Sequence, residues 1–406
     1  MIRGMNENTI EPSRPSGWRR PPSMAVCLAG LVLLTLSMSM GRWIMEGAPR
    51  SYWRDKQPDI THRWCPDGMD VTIQAFVETL RGTEHAREVY LDRLRRSHQS
   101  STALVELSCA PLVLLGLEEA VAFATISGLA SLILVLLLWR LTRQELDNPR
   151  DQLLAMGLFL AHPGTVRCFV RPQTDALLAL FAMVAAMGGR RAARAGLTPG
   201  SRVLLLLCST AACFVKIHAV CLLAVPCAVG WAYGARGRRL LDITLWGSLL
   251  PAVAWLAVFW GLDLFGSIQA AWEYKASFYD QWNLPLVLKV LALTSGPLLL
   301  FAALHPRLSR GLPAMAWILA LGFAAILLVS SIPPNVRFQY PAVAPLCVCA
   351  VAAVRQRFSP RVALGALCGL MALWYLIDWF VVGVDLYGRY IGNPAHKIPA
   401  ETIFLQ

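Results

Sequence analysis

Five groups of ionisable residues could carry chemistry, and each adjoins an apolar run. Asp67 and Asp70 stand in Cys65-Pro66-Asp67-Gly68-Met69-Asp70. Arg171 and Asp175 frame Arg171-Pro172-Gln173-Thr174-Asp175, after which the chain turns apolar at once (ALLALFAMVAAM). Lys216 and His218 interrupt another apolar stretch. A polar segment at about 261–283 holds Asp263, Glu273, Tyr274, Lys275, Tyr279 and Asp280, and Pro333–Pro341 holds Arg337. Carboxylates and cations converging at a lipid–water boundary suit one reaction well. A carboxylate deprotonates an acceptor hydroxyl, or holds a divalent ion such as Mg or Mn, while Lys and Arg stabilise a departing phosphate. Arg offers phosphate a planar fork and Lys a point charge. Asp67 and Asp175 are the acids that would hold such an ion. An ionisable group sunk toward a bilayer centre costs a few kcal/mol, so Asp175, at the start of an apolar run, is a functional candidate by default.

The elements that must position these residues are membrane helices. The chain is 56% hydrophobic and 15% charged, against roughly a quarter charged in soluble domains, and its mean hydropathy is +0.52. Apolar runs near the roughly 20 residues needed to span a bilayer recur along it. The expected fold class is all-α, a polytopic bundle of about eleven spans. The +12 formal charge does not point to nucleic acid, because the basic residues cluster in short loops between apolar runs, the mark of membrane orientation.

Residues 1–23 form a basic, Pro-rich tail expected in the cytoplasm, and Met24 to about Ile44 reads as a retained first span. Residues 46–118 form a long first outer loop with short juxtamembrane helices, one of them DVTIQAFVETLRG. Two assignments compete for 102–117, an apolar stretch broken by Pro111 and Gly116. If it spans, Arg140, Arg143 and Arg150 face outward and Asp175 faces the cytoplasm. If it lies half-buried on the outer face, those arginines are cytoplasmic and Asp175 is outside. The second choice also puts the basic residues at 190–194, 236–239, 307–310 and 355–361 on the same side, so it is adopted. Further spans follow at about 120–141, 152–168, 175–189, 203–216, 218–234, 241–260, 284–304, 312–331, 341–354 and 362–384. The membrane domain then covers 24–384, and 385–406 is an outer tail.

Plainer roles stand beside these. Asp67 could be a turn acid before Gly68, and Asp70 a helix cap. Asp175 could cap its helix or pair with Arg171; Lys216 and Arg337 could snorkel to the interface; His218 could be a polar turn residue. Glu118 and Glu119 read as surface acids. Trp43, Trp53, Trp231, Trp272, Trp282 and Tyr340 read as an interfacial belt. Most cysteines lie in apolar runs as small hydrophobes; Cys65, Cys109 and Cys168 are placed near the outer surface, where one pairing is open.

In order along the chain, "CPDGMDVTIQAFVETLRG", "APLVLLGLEEAVAFATISGLASLILVLLL", "HPGTVRCFVRPQTDALLALF", "FVKIHAVCLLAVP" and "RFQYPAVAPL" resemble segments of the GT-C superfamily of polyprenyl-phosphate-dependent glycosyltransferases. The resemblance implies an inverting transfer of a sugar from a polyprenyl-phosphate donor to a lipid, glycan or protein acceptor on the outer face of the cytoplasmic membrane. It carries the base onto Asp67, with Asp70 open because Met69 and Val71 stand where an aromatic often follows. Asp175 is then a supporting acid, and Lys216, Arg337, Arg171 and His218 bind the donor phosphate. A secondary transporter, or a ligase, polymerase or scaffold of cell-envelope glycan assembly, are the alternatives.

Overall fold

A computed structural model describes residues 24–45, 69–96, 103–169, 174–266, 268–269, 294–306, 310–330 and 340–380. They are all helical, with fifteen helices among the described residues. We label them α1 (Met24–Met45), α2 (Met69–Leu80), α3 (Ala86–Arg96), α4 (Ala103–Leu114), α5 (Glu119–Glu145), α6 (Pro149–Ala161), α7 (Pro163–Cys168), α8 (Thr174–Ala195) and α9 (Pro199–Val215). A 3₁₀ segment, Ile217–Ala224, leads into α10 (Val225–Ala232). Then come α11 (Gly237–Gly261), α12 (Gly296–Ala303), α13 (Gly311–Ser330), α14 (Tyr340–Arg357) and α15 (Pro360–Phe380). Three of them, α5, α8 and α11, are long and apolar enough to cross a membrane.

Local sequence sets several boundaries through one device, a polar residue followed by proline. Asn148, His162 and Thr198 each accept a backbone N–H with the side chain, and Pro149, Pro163 and Pro199 open the helix that follows. Proline at that position gives up no helical hydrogen bond, because the first N–H groups have no partner inside the helix. At the other end of α8, Gly196 takes the left-handed conformation (φ +77°) and its N–H closes on the Ala192 carbonyl.

The core is built on α6, α7, α8 and α14. Nearly every residue of α14 from Tyr340 to Val354 is buried, and α7 is buried throughout. A helix apolar on all sides belongs inside a bundle, and the small residues of YPAVAPLCVCAVAAV let α6, α8, α12 and α13 close on it. The helices α5, α9, α11 and α15 stand outside and leave leucines exposed (Leu132, Leu136, Leu207, Leu249, Leu364). Close approach is tightest between α8 and α10: a Cβ on Gly189 would run into the Pro226 carbonyl oxygen.

Five short connections gather at one end. Arg190 bonds the carboxylate of Glu145 and, at 2.6 Å, the side chain of Gln144; Arg194 lies 3.7 Å from Glu145. Both guanidiniums lie over the Tyr233 ring. Arg202 pairs with Asp242 at 3.0 Å and Arg355 with Asp151 at 3.0 Å. Arg357 donates to the Leu304 carbonyl. Residues 146–148, 196–198, 233–236, 304–306 with 310, and 358–359 therefore share this basic end.

The helix α4 has 12 residues, about 18 Å at 1.5 Å per residue, too short for a hydrocarbon core of about 30 Å. It packs against α2, α5 and α9 with Val105, Glu106, Cys109, Ala110 and Val113 buried. The DVTIQAFVETLRG helix is α2, and Gly82 (φ +75°) lies in the turn that ends it.

Four expectations are corrected. The stretch 152–168 is not one helix: it breaks at His162-Pro163, where the ring caps α7 and Pro163 cannot continue the ladder. The stretch 218–234 begins as 3₁₀ and becomes α only at Val225. Tyr340 is no belt residue; it is wholly buried, stacked on Phe159 (centroids 5.8 Å) and donating to Ser131. Cys109 and Cys168 are buried in the core, not near an outer surface. Trp231, by contrast, is 52% exposed, as an interfacial residue should be. Trp43's side chain, Trp53, Trp272, Trp282, the tails 1–23 and 385–406, and 284–293 of one expected span lie outside the described residues.

Candidate functional site

Two helix ends bring the central charges together. Asp175 is in the first turn of α8, and Lys216 is the first residue beyond α9, with extended backbone (φ −150°, ψ 139°). Each charge sits where the helix dipole favours it, the carboxylate at an N-terminus and the ammonium at a C-terminus. Lys216 Nζ donates to Asp175 Oδ1 at 2.7 Å across 41 residues of sequence. The carboxylate side chain is 2% exposed and the lysine 14%. An ion pair so dry is worth keeping only with near-ideal geometry, since desolvation offsets most of the attraction.

Depth follows from helix rise. Asp175 precedes Arg190 by 15 residues, placing it about 22 Å from the basic end along α8. The neighbouring α5 continues for 12 residues beyond Ser131 to Glu119, and Ser131 meets Tyr340 at the first residue of α14. The pair is therefore recessed below the far end of α5, not on the lip where its sequence position suggested. Above this level, α2 and α3 pack on the end of α11: Tyr90 and Leu94 join Trp255, Phe259 and Leu264, and Arg95 donates to the Leu262 and Asp263 carbonyls.

The other predicted residues divide clearly. Asp70 is the second residue of α2, where a carboxylate suits the helix dipole. His218 follows Lys216 by two residues, in the 3₁₀ segment. Asp67, Arg171 and Arg337 lie outside the described residues. Glu118 is exposed at the start of α5 and caps nothing with its side chain. Of the predicted set, the structure joins Asp175 and Lys216. The alternative for Lys216, snorkelling, gives way to this internal bond.

At Asp175 a divalent ion would compete with the Lys216 ammonium, 2.7 Å from Oδ1, since like charges at that range repel; Asp67, the other acid expected to hold it, lies outside the described residues. Among the described residues no three His, Cys, Asp or Glu side chains converge as ligands.

Sequence reasoning missed His162. Its side chain is completely buried, in T-shaped contact with Trp374 (centroids 4.9 Å). Nδ1 accepts the Gly164 N–H at 3.0 Å, so a neutral ring carries its proton on Nε2, which donates to Ser295 Oγ at 3.3 Å. The signal was there: a polar residue before proline inside an apolar run marks a helix boundary. Buried Glu106 and Arg167 were also passed over.

Comparison with known proteins identifies no relative: no family model, no curated protein and no solved structure matches the chain.

Proposed function

We propose that this chain is a membrane glycosyltransferase that moves a sugar, with inversion, from a polyprenyl-phosphate donor to an acceptor hydroxyl on the outer side of the cytoplasmic membrane. The observation that carries the reading is the recessed Asp175–Lys216 pair at the end of the bundle opposite the basic connections. With α5, α8 and α11 as spans and the shorter apolar helices beside them, a GT-C-like bundle of about eleven spans would place the basic end in the cytoplasm. The pair would then lie in the outer half of the bundle, where the phosphate of a lipid-linked donor would have to reach it.

In this mechanism Asp67 takes the proton of the acceptor hydroxyl as its oxygen attacks the anomeric carbon. The carbon–oxygen bond to phosphate breaks, and the phosphate leaves with the bonding electrons. Lys216 is held in place by Asp175 until the donor arrives, then shares its positive charge with the phosphate. Arg171, Arg337 and His218 complete the anion site, and Asp70 is the other acid at the mouth. Acceptor recognition falls to the loops.

Membranes carrying wild type, Asp67→Asn and Lys216→Ala, assayed for transfer from a polyprenyl-phosphate sugar, test the reading. Asp67→Asn should lose on the order of 10²–10⁴-fold in rate, and Lys216→Ala should raise KM for the donor. Full activity in Asp67→Asn removes it as the base. A second reading, a secondary transporter, draws on the interruptions at His162 and Lys216, since broken helices line transporter sites. Ion-coupled uptake into proteoliposomes without any lipid-linked sugar would favour it.

A further inference from the structure

The arginines of the basic end are used unequally. Arg190, Arg194, Arg202 and Arg355 are held by Glu145, Asp242 and Asp151. Arg236, in the turn from α10 to α11, and Arg238 and Arg239, in the first turn of α11, are exposed and meet no carboxylate among the described residues. Asp242, three residues after Arg239, is already neutralised by Arg202, whose guanidinium also lies over the Trp246 ring.

Arg236 is nevertheless ordered. Its guanidinium lies over the exposed Trp231 ring at 5.2 Å, and Nη1 donates to the carbonyls of Trp231 (2.9 Å) and Ala235 (2.6 Å). Both Nη1 hydrogens are thereby used, and the remaining guanidinium donors lie on Nε and Nη2. Arg238 begins a stripe on α11 that continues through Leu241, Leu245, Leu249 and Val253. These are 66%, 40%, 52% and 61% exposed, at helical spacing. The result is a fixed guanidinium on an interfacial indole, two more arginines beside it, and an apolar track leading away from them.

We propose that this corner binds an anionic phospholipid of the adjoining leaflet. The phosphate would be gripped by Arg236, Arg238 and Arg239, and one acyl chain would lie along Leu241, Leu245 and Leu249. Charge and shape select the occupant. A forked donor set suits phosphate oxygens, an exposed indole such as Trp231 suits headgroup level, and the exposed leucines suit an acyl chain. A free phosphate would use the arginines and ignore the track. The site lies at the end away from Asp175 and Lys216 and is independent of the proposed transfer reaction.

Native mass spectrometry of the purified full chain, in detergent doped with phosphatidylglycerol or phosphatidylcholine, reads the site directly. Wild type should retain phosphatidylglycerol over phosphatidylcholine by on the order of tenfold. The triple change R236Q, R238Q and R239Q should abolish the preference, and the matching Lys triple, which keeps the charge and the insertion signal, should reduce it partway. R143Q with R150Q, exposed arginines at the same end, should leave it unchanged. An equal loss in that control would reduce the effect to bulk charge and overturn the proposal. So would a preference that survives in the Gln triple, or displacement of the lipid by millimolar inorganic phosphate.

Discussion

Asp175 and Lys216 face each other in a nearly dry setting, where the loss of either unbalances the other. Removing one partner of a buried pair strands a charge and typically costs about 3–5 kcal/mol, whereas replacing both with apolar residues is often nearly neutral. Asp175→Ala and Lys216→Met should therefore each lower the midpoint of thermal unfolding in detergent. The double variant should be more stable than either, and strictly additive losses would argue against coupling. Glu78 is a contrasting carboxylate, fully outside any membrane-spanning segment. It accepts from Thr83 Oγ1 and from Arg81 Nη1, both at 2.6 Å, and these bonds, Thr83 first, hold its pKa below the ordinary glutamate value. Because the folded value is depressed, the stabilisation is present above the unfolded glutamate pKa and lost as pH falls through the folded one. A carbon NMR titration of the Glu78 carboxyl should show a midpoint below that of a free glutamate, and Thr83→Val should raise it.

At the scale of elements, contacts between small residues decide how closely α8, α10 and α11 approach. Gly189 meets the Pro226 carbonyl and Gly247 meets the Pro226 ring. Gly189→Ala should destabilise by about 1–3 kcal/mol, because a backbone carbonyl cannot swing aside as a side chain can. Gly365→Ala, on the exposed face of α15 with nothing within 4 Å, should be neutral or stabilising by up to about 1 kcal/mol. Equal effects of the two in a thermal-shift comparison would refute the packing account. Most helices were legible from the apolar runs because α-helices satisfy their own backbone bonds, so length and hydropathy suffice. The break at His162 was missed because apolar residues flank it on both sides, and hydropathy was given more weight than the His162-Pro163 pair. The pairing of Asp175 with Lys216 was hidden for a different reason. Each residue announced a helix end, but neither segment says which ends meet in space. The recess was not legible either, since depth is set by where α8 and α14 begin relative to α5.

For the molecule as a whole, the division into a basic end and a recessed acidic–basic pair makes orientation measurable. A cysteine placed at Glu84, beside α2 and α3, should react with a membrane-impermeant maleimide added to intact spheroplasts. A cysteine at Arg238 should react only after permeabilisation. The opposite pattern would put Asp175 on the cytoplasmic side and remove the proposed reaction. The break at His162-Pro163 also bears on how the chain is made. Neither α6, with 13 residues, nor α7, with 6, is long enough to cross a bilayer by itself. Both are enclosed by neighbours, among them α14, which begins roughly 180 residues later. At a synthesis rate of roughly 5–20 residues per second, this segment waits on the order of 10–40 s for the helix that encloses it. Throughout that interval the centre of the future bundle is its least sheltered part.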